Sequence, residues 1–137
     1  MTTLDPTPGS SRPVSPHLTV YKWQITMVMS ILHRATGLAL AFGTIFLVAW
    51  LCAAAYSPDC FTWLNGFFGS FIGKIMMFGW TVAFYYHMLN GIRHLGWDFG
   101  YGFELRSMEL TGLLVAVACS ALTIVTWIVA YSVKGAM

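Results

Sequence analysis

The chain has 137 residues, of which 58% are hydrophobic and 9% are charged, and its formal net charge is +2. A soluble domain usually has about a quarter of its residues charged, and a chain of this size cannot bury so much apolar surface in a core of its own. The composition therefore predicts an integral membrane protein in contact with lipid. It excludes nucleic acid as a partner, because the small net charge provides no basic surface.

Residues 1–29 are predicted to form a polar arm that leads into the membrane, with Asp5 and Arg12 as charged residues near its start. A mitochondrial transit peptide would be rich in arginine and poor in acidic residues, and a secretory signal would contain an apolar core. The arm has neither pattern, so it is expected to be cytoplasmic. This favours a bacterial cytoplasmic (inner) membrane over the mitochondrial inner membrane.

Three uncharged, proline-free stretches follow the arm, over residues 35–56, 75–92 and 110–133. A helix that crosses ~30 Å of hydrocarbon needs about 20 such residues. The sequence therefore predicts an all-α fold with three transmembrane helices at about 30–56, 64–95 and 108–133. They would form one domain over residues 30–137, with a first loop from Ser57 to Asn65.

Basic residues predict the orientation, because they are enriched in cytoplasmic segments near membrane helices. The first loop contains Asp59 and no basic residue, whereas the arm, the start of the first helix and the second loop contain Arg12, Lys22, Arg34, Arg93 and Arg106. The N-terminus and the second loop are therefore predicted to be cytoplasmic, and the C-terminus to lie outside.

His87 is the most informative residue of the second predicted helix. It lies about 13 Å from an inner boundary placed near Gly96, at 1.5 Å of rise per residue, and ionisable groups at such depth are costly and usually functional. Its neighbours one turn away on the same face, Ala83 and Gly91, are small. That leaves room for a flat ligand such as haem, although small residues also serve close helix packing. The alternative is a histidine that hydrogen-bonds to a hydroxyl or carbonyl of another helix.

The other histidines are His17 in the arm and His33 and His94 near the inner interface. None of them is expected to face His87 at the same depth in the membrane. A six-coordinate haem iron on His87 would therefore need its second axial ligand from another polypeptide. Three helices are also too few to enclose a porphyrin, so the sequence predicts a helical bundle shared with a partner subunit.

The cytoplasmic ends of the first two predicted helices are unusually polar. Ser30 and Arg34 share a face of the first helix, and a guanidinium at this level needs an anionic or accepting partner, such as a haem propionate or a quinone carbonyl. Two alternatives stay open. Arg34 could reach lipid phosphate, and Arg93 and Asp98 could be surface neighbours without a functional role.

Three motifs resemble those of the cytochrome b subunits of succinate dehydrogenase, which is complex II. They are RPVSPHLTVYKW at residues 12–23, SILHRATG at residues 30–37 and HMLNGIRHLGWDFG at residues 87–100. They occur in the family's order and in the matching helices, and the resemblance covers about residues 12–133. Departures are confined mainly to the first loop and the C-terminal tail.

The resemblance implies a role for each matching residue. His87 corresponds to an axial ligand of haem b, and the opposing histidine comes from a second, smaller anchor subunit. His33, Arg34 and His94 correspond to residues around the haem propionates.

For the quinone, the resemblance implies that Ser30 and Arg34 bind ubiquinone, with Asp98 nearby as a possible source of protons. The segment SPHLTVYKW corresponds to one that lies against the iron–sulfur subunit.

The function that follows from the resemblance is a membrane-anchor subunit of succinate dehydrogenase that passes electrons from the iron–sulfur subunit to ubiquinone. The flavoprotein and iron–sulfur chemistry would belong to partner subunits, since the sequence has neither a G-x-G-x-x-G motif nor a ferredoxin-type cysteine cluster. Three alternatives stay open: a fumarate reductase-type anchor, a transporter subunit with His87 in a proton relay, and an anchor that has lost its haem.

Overall fold

A computed structural model describes residues 23–136, and within this range the chain forms four helices and no strand. They are α1 (Ile25–Tyr56), α2 (Pro58–Gly69), α3 (Phe71–Asp98) and α4 (Leu105–Ala136). Residues 1–22 of the predicted arm lie outside the described residues, and so does most of the segment expected to contact the iron–sulfur subunit. The last residues of the predicted arm, 25–29, already belong to α1. The all-helical prediction is confirmed for the part of the chain that the structure describes.

Two of the helices, α1 and α4, are each long and apolar enough to cross a membrane. The second predicted span is broken: α2 and α3 meet at a bend of 79° and count as a third span only if the bent pair is one crossing. The structure therefore has two unbroken candidate spans and one bent one in place of three simple helices.

The region from Ser57 to Asn65 was predicted as a loop, but most of it belongs to α2. Ser57 caps this helix by accepting a hydrogen bond from the N–H of Cys60 at 3.4 Å, and Pro58 and Asp59 occupy its first turn. A hydroxyl cap, a proline at the first position and an early acidic residue all favour a helix start.

The break between α2 and α3 lies at Ser70, whose hydroxyl accepts a hydrogen bond from the N–H of Gly73 at 3.2 Å. A Cβ at Gly73 would lie 2.2 Å from the carbonyl oxygen of Phe67. Only glycine therefore permits the end of α2 to pack so closely against the start of α3.

Helix α3 contacts α1, α2 and α4, and its interfaces with α1 and α4 are the most extensive in the described structure. Few side chains are buried within the described residues: apolar Met29, Ala53, Ala83, Val115 and Cys119, and polar Asn90 and Thr123. Many large apolar side chains on α1, α3 and α4 are instead exposed, and so is Trp63 on α2. Such a surface fits lipid or the membrane helices of a partner.

Hydrogen bonds join α3 to its neighbours on both sides. The hydroxyl of Tyr86 donates to the carbonyl of Met29 on α1 at 3.1 Å, and the hydroxyls of Tyr85 and Thr126 are 2.7 Å apart between α3 and α4. Polar contacts of this kind fix helix positions where lipid offers no competing partner.

Candidate functional site

Three histidine rings meet where the N-terminal half of α1 packs against the C-terminal half of α3. The rings of His33 and His87 are stacked, with centroids 4.0 Å apart and an interplanar angle of 9°. The ring of His94 lies 5.1 Å from that of His33. All three side chains are half-buried. The structure thus gathers the predicted axial ligand and two of the predicted propionate residues into one histidine cluster.

The expectation that no other histidine of the chain could face His87 is wrong, because His33 lies directly against it. That expectation was based on the depth of each histidine along its own helix, with the first helix taken to begin near residue 30. In the structure α1 begins at Ile25, which places His33 more than two turns inside the helix. The lone pair of an imidazole nitrogen lies in the plane of its ring. Two stacked rings therefore cannot direct their lone pairs at a single iron atom between them, and His33 and His87 do not form a ligand pair in this arrangement.

The Nδ1 atom of His87 is held by α1. It lies 3.0 Å from the carbonyl oxygen of His33 and 3.4 Å from the hydroxyl oxygen of Thr36. A carbonyl only accepts hydrogen bonds, so in the neutral ring Nδ1 carries the proton and Nε2 has the free lone pair. A ring fixed in this way is prepared to ligate a metal through Nε2.

Glycine makes the close approach of His87 to α1 possible. A Cβ at Gly37 would lie 3.0 Å from Cε1 of His87, whereas a Cβ at Gly91 would have no atom within 4 Å. The sequence pointed to Ala83 and Gly91 as the small neighbours of His87, and Ala83 is buried. The small residue in contact with the His87 ring is Gly37 on α1. The contacts of Thr36 and Gly37 were missed from the sequence, although both residues end the SILHRATG motif.

The residues of the histidine cluster fit a haem group by their chemistry. A neutral imidazole with a free Nε2 is a common axial ligand of haem iron. The Nδ1 atom of His33 is buried and has no hydrogen-bond partner, so an anionic oxygen of a propionate would satisfy it when it carries the proton. Among residues 23–136 no group of three or more histidine, cysteine or acidic side chains is arranged to hold a bare metal ion.

Ser30 and Arg34 lie one turn apart on α1, near the histidine cluster. Ser30 is half-buried and Arg34 is exposed. Within the described range, neither side chain makes a hydrogen bond or an ion pair. Both can therefore donate hydrogen bonds to a ligand near the N-terminal end of α1.

Arg93 has a structural role that the sequence did not reveal. Its Nε donates to the hydroxyl of Thr111 and its Nη2 to the carbonyl of Met108, each at 2.9 Å. Its guanidinium also lies 4.1 Å from the centre of the Trp97 ring. Arg93 is half-buried and ties α3 to the first turns of α4, so it is more than a surface neighbour of Asp98.

His94 and Asp98 differ in how closely they join this site. The ring of His94 packs edge-on against Trp97, with centroids 4.9 Å apart. Asp98 is the last residue of α3 and is exposed. In the described structure no interaction joins Asp98 to Ser30 or Arg34.

A separate cavity of about 560 Å³ lies between α1, α2 and α3, away from the histidine cluster. Its lining is mainly apolar and includes Phe46, Trp50, Phe68 and Trp80. It contains none of the predicted site residues.

Known proteins resemble this chain over most of its length. A sequence model of the family described as "Succinate dehydrogenase/Fumarate reductase transmembrane subunit" matches residues 9–126. The succinate dehydrogenase cytochrome b556 subunit of Rickettsia typhi is 44% identical over 119 residues, which are 87% of this chain and 93% of the relative. The same-named subunit of Paracoccus denitrificans is 37% identical over 119 residues, covering 87% and 92% of the two chains. The mitochondrial succinate dehydrogenase cytochrome b560 subunit of Sus scrofa is 38% identical over 111 residues, covering 80% of this chain and 66% of the relative.

The resemblance seen in the three motifs is thus confirmed over nearly the whole sequence. The chain belongs to the succinate dehydrogenase/fumarate reductase transmembrane subunit family.

Proposed function

We propose that this chain is the large membrane anchor of a succinate dehydrogenase, that it binds haem b through His87, and that it binds ubiquinone near Ser30 and Arg34. The observation that carries the proposal is the arrangement of His87, whose Nδ1 faces a carbonyl of α1 and whose Nε2 is left to ligate. Family membership supports the same assignment, since several relatives are named cytochrome b subunits.

In this proposal haem b supplies a one-electron centre whose potential depends on its ligands and burial. Nε2 of His87 would hold the haem iron from this chain, and a histidine of a second anchor subunit would hold it from the other chain. His33, Arg34 and His94 would supply the propionates with positive charge and hydrogen-bond donors. The rings of His33 and His94 lie beside that of His87, which supports this assignment. The large exposed apolar surface of the chain is suited to packing against that second subunit.

Ubiquinone would bind at the cytoplasmic ends of α1 and α3. The hydroxyl of Ser30 donates a hydrogen bond that orients the quinone ring, and Arg34 stabilises the negative charge that develops on a quinone oxygen during reduction. Two electrons from the iron–sulfur subunit and two protons complete the conversion to quinol. Asp98, which is exposed at the end of α3, would exchange protons with the cytoplasm.

The remaining parts of the proposal concern assembly and location. The flavoprotein and iron–sulfur subunits oxidise succinate and deliver electrons, and this chain anchors them to a bacterial inner membrane with its N-terminus in the cytoplasm. A fumarate reductase-type anchor is the second candidate, because the family description names both enzymes. The two candidates use the same residues and differ in the direction of electron flow.

The test is a dithionite-reduced minus oxidised optical spectrum of membranes from cells that express this chain alone or together with its neighbouring genes. A sharp b-type band that requires co-expression supports a haem shared with a partner. A band from this chain alone would refute the shared ligation, and no band in either case would favour the transport or haem-free alternatives.

His87→Ala, expressed with the partner genes, tests the ligand itself. The low-spin haem b band should be lost or severely altered, because the variant has no imidazole at this position. An unchanged alpha band in assembled complex would contradict the assignment of His87.

A further inference from the structure

We infer that α1 selects the ligating nitrogen of His87, through the main-chain carbonyl of His33 and the space left by Gly37. This inference rests on the proposed haem ligation by His87 and extends it to residues that do not themselves touch iron. His33, through its backbone, and Gly37 are positioning residues in this sense.

The first step concerns the proton on the His87 ring. The carbonyl oxygen of His33 lies 3.0 Å from Nδ1, and a carbonyl can only accept. The neutral ring therefore holds its proton on Nδ1, and the tautomer with a free Nε2 is stabilised by a hydrogen bond across the α1–α3 interface. Because the acceptor is a backbone atom, substitution of the His33 side chain leaves it in place.

Thr36 supports the same tautomer. Its hydroxyl lies 2.8 Å from the carbonyl of Leu32 and 2.9 Å from that of His33, so its one hydrogen is directed at the α1 backbone. A lone pair of the hydroxyl oxygen is then free to accept from Nδ1 of His87, which lies 3.4 Å away. Both groups beside Nδ1 thus act as acceptors, and neither favours a lone pair on that nitrogen.

The second step concerns the distance between His87 and α1. A Cβ at Gly37 would lie 3.0 Å from Cε1, 3.5 Å from Nδ1 and 3.9 Å from Nε2 of His87. A methyl group there would displace the ring by a few tenths of an ångström, away from the carbonyl that holds Nδ1. The hydrogen bond at 3.0 Å therefore depends on the absence of a side chain at residue 37.

The consequence for a bound haem is electronic as well as geometric. A hydrogen bond donated by Nδ1 makes the imidazole a stronger electron donor through Nε2, which stabilises the oxidised iron. Weakening that bond should raise the midpoint potential of the haem and change the anisotropy of its low-spin signal, while ligation itself persists.

The experiment compares purified wild-type complex with Gly37→Ala and with Gly79→Ala. Gly79 is the matched control, since it lies on α3 and a Cβ there would have no atom within 4 Å. Haem content, low-spin electron paramagnetic resonance and a potentiometric titration are recorded for each. We expect a more positive midpoint potential with the haem retained in Gly37→Ala, and wild-type values in Gly79→Ala. Equal spectra and potentials in all three complexes would overturn the inference.

A second replacement keeps the test decisive if Gly37→Ala fails to assemble. Genetic-code expansion can place Nδ1-methylhistidine at residue 87, which cannot donate from Nδ1 but retains Nε2 as a ligand. A bound haem with a raised potential supports the inference, and an unchanged potential refutes it. The proposed function fails separately, if His87→Ala retains the normal haem spectrum.

Discussion

The packing of Trp80 against Gly43 offers a sharp test of the fold. A Cβ at residue 43 would lie 2.0 Å from Nε1, 2.5 Å from Cδ1 and 2.6 Å from Cε2 of the indole. Non-bonded carbon atoms are most stable at about 3.5–4.0 Å, so in Gly43→Ala the indole or α1 has to move by about 1.5 Å. The indole is rigid, and overpacking of this kind typically costs about 1–3 kcal/mol. We therefore expect Gly43→Ala to weaken the α1–α3 interface.

The assay is the midpoint temperature of the detergent-purified complex, followed by size-exclusion chromatography of heated samples. Gly66→Ala on α2 is the control, because a Cβ there has no atom within 4 Å, and alanine favours a helix over glycine by about 1 kcal/mol. The control should match or exceed the wild type, and Trp80→Phe should partly rescue Gly43→Ala by supplying a smaller ring. Equal midpoint temperatures for Gly43→Ala and Gly66→Ala would refute the reasoning.

Variants at Arg93, Gly112, Ser30 and Arg34 probe other contacts. Arg93→Ala should reduce the amount of the chain in membranes, measured on immunoblots, because each lost hydrogen bond to a charged group is worth about 1.5–3 kcal/mol. Arg93→Lys should not restore the wild-type amount, since lysine lacks the planar guanidinium that reaches both acceptors. Full recovery in Arg93→Lys would show that the positive charge alone is sufficient. Gly112→Ala should lower the midpoint temperature of the complex less than Gly43→Ala does. A Cβ at residue 112 would lie 2.7 Å from the sulfur of Met29, and this flexible side chain can move aside. A larger decrease in Gly112→Ala than in Gly43→Ala would contradict this ranking. Ser30→Ala or Arg34→Ala should impair succinate-driven quinone reduction but largely retain reduction of an artificial dye in assembled complex, whereas equal loss of both activities would indicate an assembly defect.

The sequence was informative where structure depends on local composition. The uncharged stretches over residues 35–56 and 110–133 predicted α1 and α4, because a membrane selects long apolar segments irrespective of what they contact. The break at Ser70 was missed, since apolar residues continue on both sides of it. The signals that mark α2, Ser57 followed by Pro58 and Asp59, were present in the sequence but were assigned to a loop.

The site was predicted less completely, because its contacts are between helices. Counting along α3 gives the depth of His87 but not the offset or tilt of α1, so the stacking of His33 on His87 could not be derived. The hydrogen bonds of Arg93 to α4 depend on the turn between α3 and α4 in the same way. The roles of Ser30, Arg34, Asp98 and His94 stay predictions until the variants are measured.

The scarcity of buried residues in α1 has a consequence for how the protein is made. Only Met29 and Ala53 of this 32-residue helix are buried, and every other helix that it contacts is synthesised later. On leaving the insertion machinery α1 therefore has no neighbour among the helices described here until α2 emerges, and its main neighbour, α3, follows only after that. Even the finished chain leaves most of its side chains for other molecules to cover. We expect its lifetime in the membrane to be set by the supply of its neighbours, as for a newly made subunit whose degradation competes with assembly.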